Sequence, residues 1–117
     1  MLIHKLKSKI HKATITQCHI NYDGSLGLDE SFMTLAGMQA YEKVLVANLS
    51  NGSRFETYLI KAKKGSGIVS LNGAAARLGA VGDRVIILAF ALVDEKEAGS
   101  LKPRILIMDD DNHPRMK

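Results

Sequence analysis

The chain of 117 residues contains one cysteine, Cys18, two prolines, no tryptophan and only 5% aromatic residues. A lone cysteine excludes an intramolecular disulfide framework, and a cysteine-based metal cluster would need ligands from other chains. No apolar run approaches the roughly 18 residues of a membrane-spanning helix; the apolar stretch 85–93 has the length of a strand. After Met1-Leu2-Ile3 the chain turns basic at His4, Lys5, Lys7 and Lys9, without the apolar region and small-residue cleavage site of a signal peptide. The expectation is a cytoplasmic protein with no membrane partner and no metal site.

Hydrophobic residues make up 46% of the chain, so a core is available, built mainly from Ile, Leu, Val, Ala and Met. The length suits one domain, 1–117, with about two-thirds of the extended chain's surface removed on folding. That leaves modest stability for a monomer and makes an oligomer a natural supplement. Sixteen Lys and Arg against twelve Asp and Glu give a net charge of +4. A basic surface attracts phosphates, but these residues are scattered apart from the cluster at 5–12, and no nucleic-acid-binding motif accompanies them. Attraction of a small dianion is an equally physical use of the same field.

The pattern is mostly β. Residues 12–20, with Thr14, Ile15 and Thr16, favour an extended chain. Asp23-Gly24 signals a turn. A short helix is predicted over 28–36, capped by Asp29, ended by Gly37, with Phe32, Leu35 and Ala36 as its apolar face. Strands at 43–49 and 54–62 flank the hairpin signal Ser50-Asn51-Gly52-Ser53. Alternation puts Arg54, Glu56, Tyr58 and Ile60 on one face of the second strand and Phe55, Thr57 and Leu59 on the other. Arg54 and Tyr58 would then be about 13 Å apart, too far to share a small site without curvature or a bulge. A turn at Lys64-Gly65-Ser66-Gly67 leads to a strand at 68–71, then to a helix at 74–78 with Asn72 as its cap and Gly79 or Gly82 as its stop. Strands follow at 85–93 and, as a late or edge strand broken by Pro103, at 101–108; a polar tail starts at Asp109. Many short strands with two small helices and no regular βαβ alternation predict a closed or semi-closed β-barrel.

Several residues offer chemistry, each beside a plainer role. Gly24-Ser25 next to Asp23 suits an ordinary turn. It also suits a strained one in which the Ser25 hydroxyl attacks the Gly24 carbonyl, giving an ester by acyl shift and, after elimination and hydrolysis, an N-terminal pyruvoyl group. Lys9 and His11 can form a solvated basic edge or, with Arg54, a carboxylate site. Tyr58 and Tyr22 suit a core, an interface or proton donation; Thr57 suits strand propensity or polarisation of a carbonyl. Asn72-Gly73-Ala74-Ala75-Ala76 suits a capped helix or a small anion pocket. Gly65-Ser66-Gly67 lacks the length and lysine of a phosphate loop, so no nucleotide is expected.

Taken together, Lys9-Ile10-His11-Lys12-Ala13-Thr14, Tyr22-Asp23-Gly24-Ser25, Tyr41-Glu42-Lys43-Val44, Asn51-Gly52-Ser53-Arg54-Phe55-Glu56-Thr57-Tyr58, Gly65-Ser66-Gly67, Asn72-Gly73-Ala74-Ala75-Ala76-Arg77 and Pro103-Arg104 resemble the aspartate 1-decarboxylases along essentially the whole chain. The resemblance implies a mainly β fold, a small double-psi β-barrel with short helices. It implies a homotetramer with active sites between subunits, and self-cleavage after Gly24 into chains 1–24 and 25–117. Ser25 would become a covalent pyruvoyl group that takes up the amine of L-aspartate as a Schiff base, leading to loss of the α-carboxylate and release of β-alanine for pantothenate and coenzyme A synthesis. Thr57 would engage the Gly24 carbonyl during processing. Lys9 and Arg54 would bind substrate carboxylates with His11 nearby, Tyr58 would donate a proton, and Asn72 with the backbone of Gly73, Ala74 and Ala75 would shape the pocket. The resemblance leaves room for a maturation factor. The chain departs from the family pattern at Ala47, where a bulkier residue is usual, and at Leu26-Gly27 after the cut. The competing expectation is a non-enzymatic β-barrel that binds an acidic partner or nucleic acid through its positive charge.

Overall fold

A computed structural model describes residues 1–117. Nine strands are hydrogen-bonded in the order β2-β6-β3-β5-β4-β7-β1-β8-β9: β1 (Leu2–Thr14), β2 (Gln17–His19), β3 (Ser25–Asp29), β4 (Lys43–Asn48), β5 (Arg54–Ala62), β6 (Val69–Asn72), β7 (Arg84–Asp94), β8 (Arg104–Met108) and β9 (Pro114–Met116). β2, at one end of this order, is brought back to β1 because β1 and β2 are one bent segment. At the bend Thr16 N–H donates to Val69 O at 2.8 Å, and the Thr16 hydroxyl accepts from Val69 N–H at 2.9 Å. On the opposite side Ile15 exchanges backbone bonds with Asp83 and Gly82, both 2.9 Å. The ring β1/β2-β6-β3-β5-β4-β7 is therefore a closed small barrel, with β8 and β9 added along β1. Parallel pairs β3–β5 and β2–β6 are interleaved with antiparallel ones, as expected for the double-psi class.

Strand alternation decides what fills the barrel. Ile10, Val46, Leu59, Leu26, Leu71 and Ile87 are fully buried inside it. Their sequence neighbours Lys9, Leu45, Tyr58, Ser25, Ser70 and Leu88 consequently take the outer face. This parity governs the functional surface described below.

Several predicted elements moved. The first strand begins at Leu2 rather than in 12–20, because β1 is gripped on both sides by β7 and β8 and its lysine-rich pattern does not oppose that pairing. A single α-helix, α1 (Glu30–Ala36), stands where one was predicted, with Asp29 capping it and Gly37 ending it at φ 70°. Its buried face is Phe32, Met33 and Ala36, whereas Leu35, expected on that face, is 41% exposed, so the buried stripe runs through Met33 instead. The second helix is only a 3-10 turn, Gly73–Arg77, and Asn72 makes no side-chain cap to it. β8 lies inside the sheet between β1 and β9, and the tail expected after Asp109 contains β9 as the edge strand.

Asp29 joins three pieces of the fold. Its carboxylate accepts from Ser31 N–H and hydroxyl at 2.8 and 2.7 Å, and from the N–H groups of Gly65 and Gly67 at 3.1 and 2.8 Å. Burial raises its pKa, but the Gly67, Ser31 and Gly65 donors outweigh burial and hold it below the ordinary 3.8. A folded-state pKa below the unfolded one means stability present above the unfolded value and lost as pH falls through the folded one. Asp29→Asn should therefore flatten the acid limb below pH 3.8 in a plot of thermal midpoint against pH. Asp29→Ala, which orphans these donors, should destabilise the protein by about 1–3 kcal/mol in denaturant titration.

Candidate active site

The expected cut, Gly24-Ser25, sits where the irregular segment 20–24 enters β3. Ser25 is the first residue of β3 and is 2% exposed, although it faces outward. It is covered from the β6 side. Ser25 pairs with Asn72, and the Asn72 amide donates from Nδ2 to Ser25 Oγ at 3.1 Å. The amide is oriented by Ser70, whose hydroxyl donates to Asn72 Oδ1 at 2.8 Å. The Ser25 hydroxyl in turn donates to the Asp23 carbonyl at a long 3.4 Å. Asn72 is thus a clamp on the Ser25 oxygen instead of a helix cap. A strand residue two positions after Ser70 shares its face, so the Ser-x-Asn spacing carried a signal for this pair.

Gly73 forms the floor beneath the turn. It has φ 65°, and a Cβ at this position would lie 2.6 Å from Gly24 Cα, 2.7 Å from Gly24 N and 2.8 Å from Tyr22 O. Only a residue without a side chain permits that approach. Ala75 is buried within the turn and Ala74 is exposed at its surface. Gly27 is the second small element. On the same outer face as Ser25, it pairs with Ser70 and Ile60, and a Cβ there would meet Ser70 Cβ at 3.3 Å and Asn72 Nδ2 at 3.6 Å. The absent side chain lets Ser70 and the Asn72 amide pack closely against β3 beside the Ser25 oxygen.

Across the other edge of β3, the parallel ladder with β5 starts at Leu26↔Leu59. Ser25 and Tyr58 immediately precede that pair on strands about 4.8 Å apart. Tyr58 faces outward with 38% exposure, its ring 6.2 Å from that of Tyr41. Thr57 has the opposite parity, half-buried at the barrel end toward which Gly24 leads. The structure therefore gathers Gly24, Ser25, Asn72 and Gly73 in contact and sets Thr57 and Tyr58 on the adjoining strand.

Lys9, His11 and Arg54 are not brought into that cluster within one chain. Lys9 pairs with Leu88, Leu88 with Leu45, and Leu45 with Glu56. Lys9 is consequently three strand spacings from β5, roughly 14 Å along the sheet. Arg54 is exposed at the start of β5, four residues before Tyr58, and is paired with Ala47. Ala47 itself is buried, 6% exposed. His11 follows Lys9 at a bulge in β1, next to Lys12 at φ 64°. Burial first, then the positive charges of Lys9, Lys12, Lys117 and Arg84, hold its pKa below 6.5. His11 is thereby a neutral imidazole at neutral pH, with Nδ1 buried and unpaired.

The aspartate decarboxylase family model matches residues 1–115. Curated relatives named aspartate 1-decarboxylase include those of Caldicellulosiruptor bescii, 54% identical over 96% of this chain and 88% of that protein, and Chlorobium limicola, 51% identical over 100% and 91%. That of Leptospira biflexa is 47% identical over 98% of both chains. Among solved structures, the computationally designed protein msDPBB_sym2 has a TM-score of 0.48 at 20% identity, covering 76% of this chain and 99% of that one.

Proposed function

This chain belongs to the aspartate decarboxylase family, and we propose that it removes the α-carboxylate of L-aspartate to give β-alanine, using a pyruvoyl group made from its own Ser25. The observation that carries this proposal is the Gly24-Ser25 turn, with its serine oxygen clamped by Asn72 and its backbone pressed on the side-chain-free Gly73. The lyase would serve pantothenate and coenzyme A synthesis in the cytoplasm.

Processing begins with attack of Ser25 Oγ on the Gly24 carbonyl carbon, with the peptide nitrogen leaving as the new amine of residue 25. Loss of the Ser25 α-proton and cleavage of the ester C–O bond releases Gly24 as a carboxylate. Water then replaces the nitrogen, which departs as ammonia, leaving the carbonyl at the head of chain 25–117 and a separate chain 1–24. Thr57, on the strand beside the cut, is the hydroxyl suited to polarise the Gly24 carbonyl, and Asn72 holds the nucleophile in register. Gly73→Ala should stall this step. An Ala at φ 65° costs about 1–2 kcal/mol, and its Cβ displaces the Gly24 backbone, so a gel time course should show precursor persisting after the parent protein is fully cut.

The residues fit a pyruvoyl group at position 25. The donor amide of Asn72 adjoins the Ser25 oxygen, and the next outward-facing residue of β3, Gly27, carries no side chain. Such a group supplies an electrophilic carbonyl for the substrate amine and an acceptor for the electron pair left when carbon dioxide departs. Tyr58 holds a proton on the adjoining strand for delivery to the former α-carbon. Lys9 and Arg54 bind carboxylates, Arg54 in a two-pronged fashion, and His11 donates a hydrogen bond in the Lys9 region. Asn72 and the Gly73, Ala74 and Ala75 backbone shape the pocket.

Their separation within one chain supports a homotetramer whose sites combine Lys9 and Arg54 from neighbouring subunits. Exposed Phe90 and Leu92, at 45% and 57%, offer apolar surface for such contacts. The basic surface offers less to a nucleic acid than its charge suggests: Lys7, Lys43, Lys61 and Arg84 are each paired with an acidic side chain, and the relatives are named as enzymes. Intact-protein mass spectrometry of purified, aged protein tests the proposal. Two fragments divided after Gly24, with the longer one captured by a hydrazide, are expected; a persistently single, carbonyl-free chain that still decarboxylates aspartate would overturn it.

A further inference from the structure

His19 ends β2 in register with Asn72, and Asn72 pairs with Ser25, so the three form one cross-strand row on the outer face. Beyond His19 the chain leaves regular structure until Ser25. Two contacts tie this segment back. Tyr22 N–H donates to His19 O at 3.3 Å, and the Tyr22 ring lies on the imidazole, centroids 4.4 Å apart and planes 20° from parallel. The imidazole is itself held, with Nε2 3.0 Å from Gln17 Oε1. Tyr22 also supplies the carbonyl oxygen against which Gly73 packs, alongside the Gly24 backbone. One line of contact thus runs from Gln17 through His19 and Tyr22 to the bond preceding Ser25.

We propose that His19 is a positioning residue for self-cleavage: its ring holds Tyr22, and Tyr22, whose carbonyl oxygen packs on Gly73 beside the Gly24 N and Cα, keeps the backbone that precedes Ser25 seated on Gly73. This rests on the self-cleavage proposed above. Tyr22 is 61% exposed, so little else restrains its ring. Removal of the imidazole face frees the turn to leave the attack geometry, and cleavage slows in proportion to the time spent away. A flat ring at position 19 restores the stack without the bond to Gln17. His19 touches no reacting atom and moves no proton in this role.

The test follows cleavage of freshly purified full-length precursor by intact mass, comparing the parent chain with His19→Ala, His19→Leu and His19→Phe. Aromatic stacking of this kind corresponds to about a two- to tenfold change in population. His19→Ala and His19→Leu should each slow cleavage by about that factor, and His19→Phe should recover to within about twofold of the parent. Thermal midpoints of the same substitutions in a Ser25→Ala background, where no cleavage intervenes, should agree within a few degrees. Parent-like cleavage in His19→Leu overturns the inference, as does a His19→Phe variant no faster than His19→Leu, which would assign the effect to the Gln17 bond. Slowing matched by a collapse of the midpoint overturns it as a general loss of stability. A parent chain that never cleaves, while its Ser25→Ala form has equal activity, rejects self-cleavage itself and the role of His19 with it.

Discussion

Ser25→Ala protein is expected to remain one uncut chain, to react with no hydrazide and to release no β-alanine from L-aspartate. In the proposed processing the hydroxyl oxygen is both the attacking atom and, once part of the ester, the leaving group whose loss allows water to form the ketone, so no neighbouring group substitutes for it. Asn72, the one side chain that donates to Ser25 Oγ, is an amide and has no nucleophilic oxygen to offer at neutral pH. The loss of activity should therefore be total within detection rather than partial. Folding should survive. Removing the oxygen deletes its hydrogen bonds with the Asn72 amide and the Asp23 carbonyl and leaves the Asn72 donor, 3% exposed, unpaired, a cost of about 1–3 kcal/mol. Circular dichroism and a modestly lowered thermal midpoint would separate this outcome from unfolding. Retained decarboxylation by folded Ser25→Ala protein would sink the pyruvoyl mechanism.

Tyr58→Phe should behave differently: cleavage near the parental rate, a full complement of hydrazide-reactive carbonyl, and a kcat lower by about 10²- to 10⁴-fold. The hydroxyl is the only atom removed, while the ring keeps its position 6.2 Å from Tyr41 and its place one residue before the Leu26↔Leu59 pair. With carboxylate binding assigned to Lys9 and Arg54 in the proposed mechanism, KM should change much less than kcat. Steady-state kinetics normalised to carbonyl content gives both numbers. A kcat within threefold of the parent, about 0.7 kcal/mol at the barrier, would remove Tyr58 from proton donation; loss of cleavage as well would move it to the processing machinery.

The ease with which each part of the site was legible follows the range of the interaction behind it. Asp29 before Glu30–Ala36 and Gly37 after it behave as cap and stop because both effects act within a few residues. Asn51-Gly52 turned the chain between β4 and β5 for the same reason, with Gly52 at φ 77°. Asn72 was legible as a polar residue before a helical stretch, and that local pattern misled. Its amide is engaged by Ser70 and by Ser25, 47 positions away, and a satisfied buried amide outweighs a weak cap on a 3-10 turn. The choice of Met33 over Leu35, and the start of β1 at Leu2, were settled by neighbours contributed from distant parts of the chain.

What the sequence by itself determined is the chemistry on offer and the elements that carry it: a serine after glycine in a turn, alternating strands, cationic residues for carboxylates, and the family motifs in order. What only the tertiary structure decided is which of these meet. Gly24 rests on Gly73 and Ser25 is held by Asn72, whereas Lys9 and Arg54 stay apart in a single chain. The physical reason is that strand propensity and turn geometry are local, while contact across a barrel depends on register and parity summed over every intervening strand. A one-residue slip in β6 would carry Asn72 to the inner face and leave Ser25 as the ordinary turn serine it resembles when seen alone.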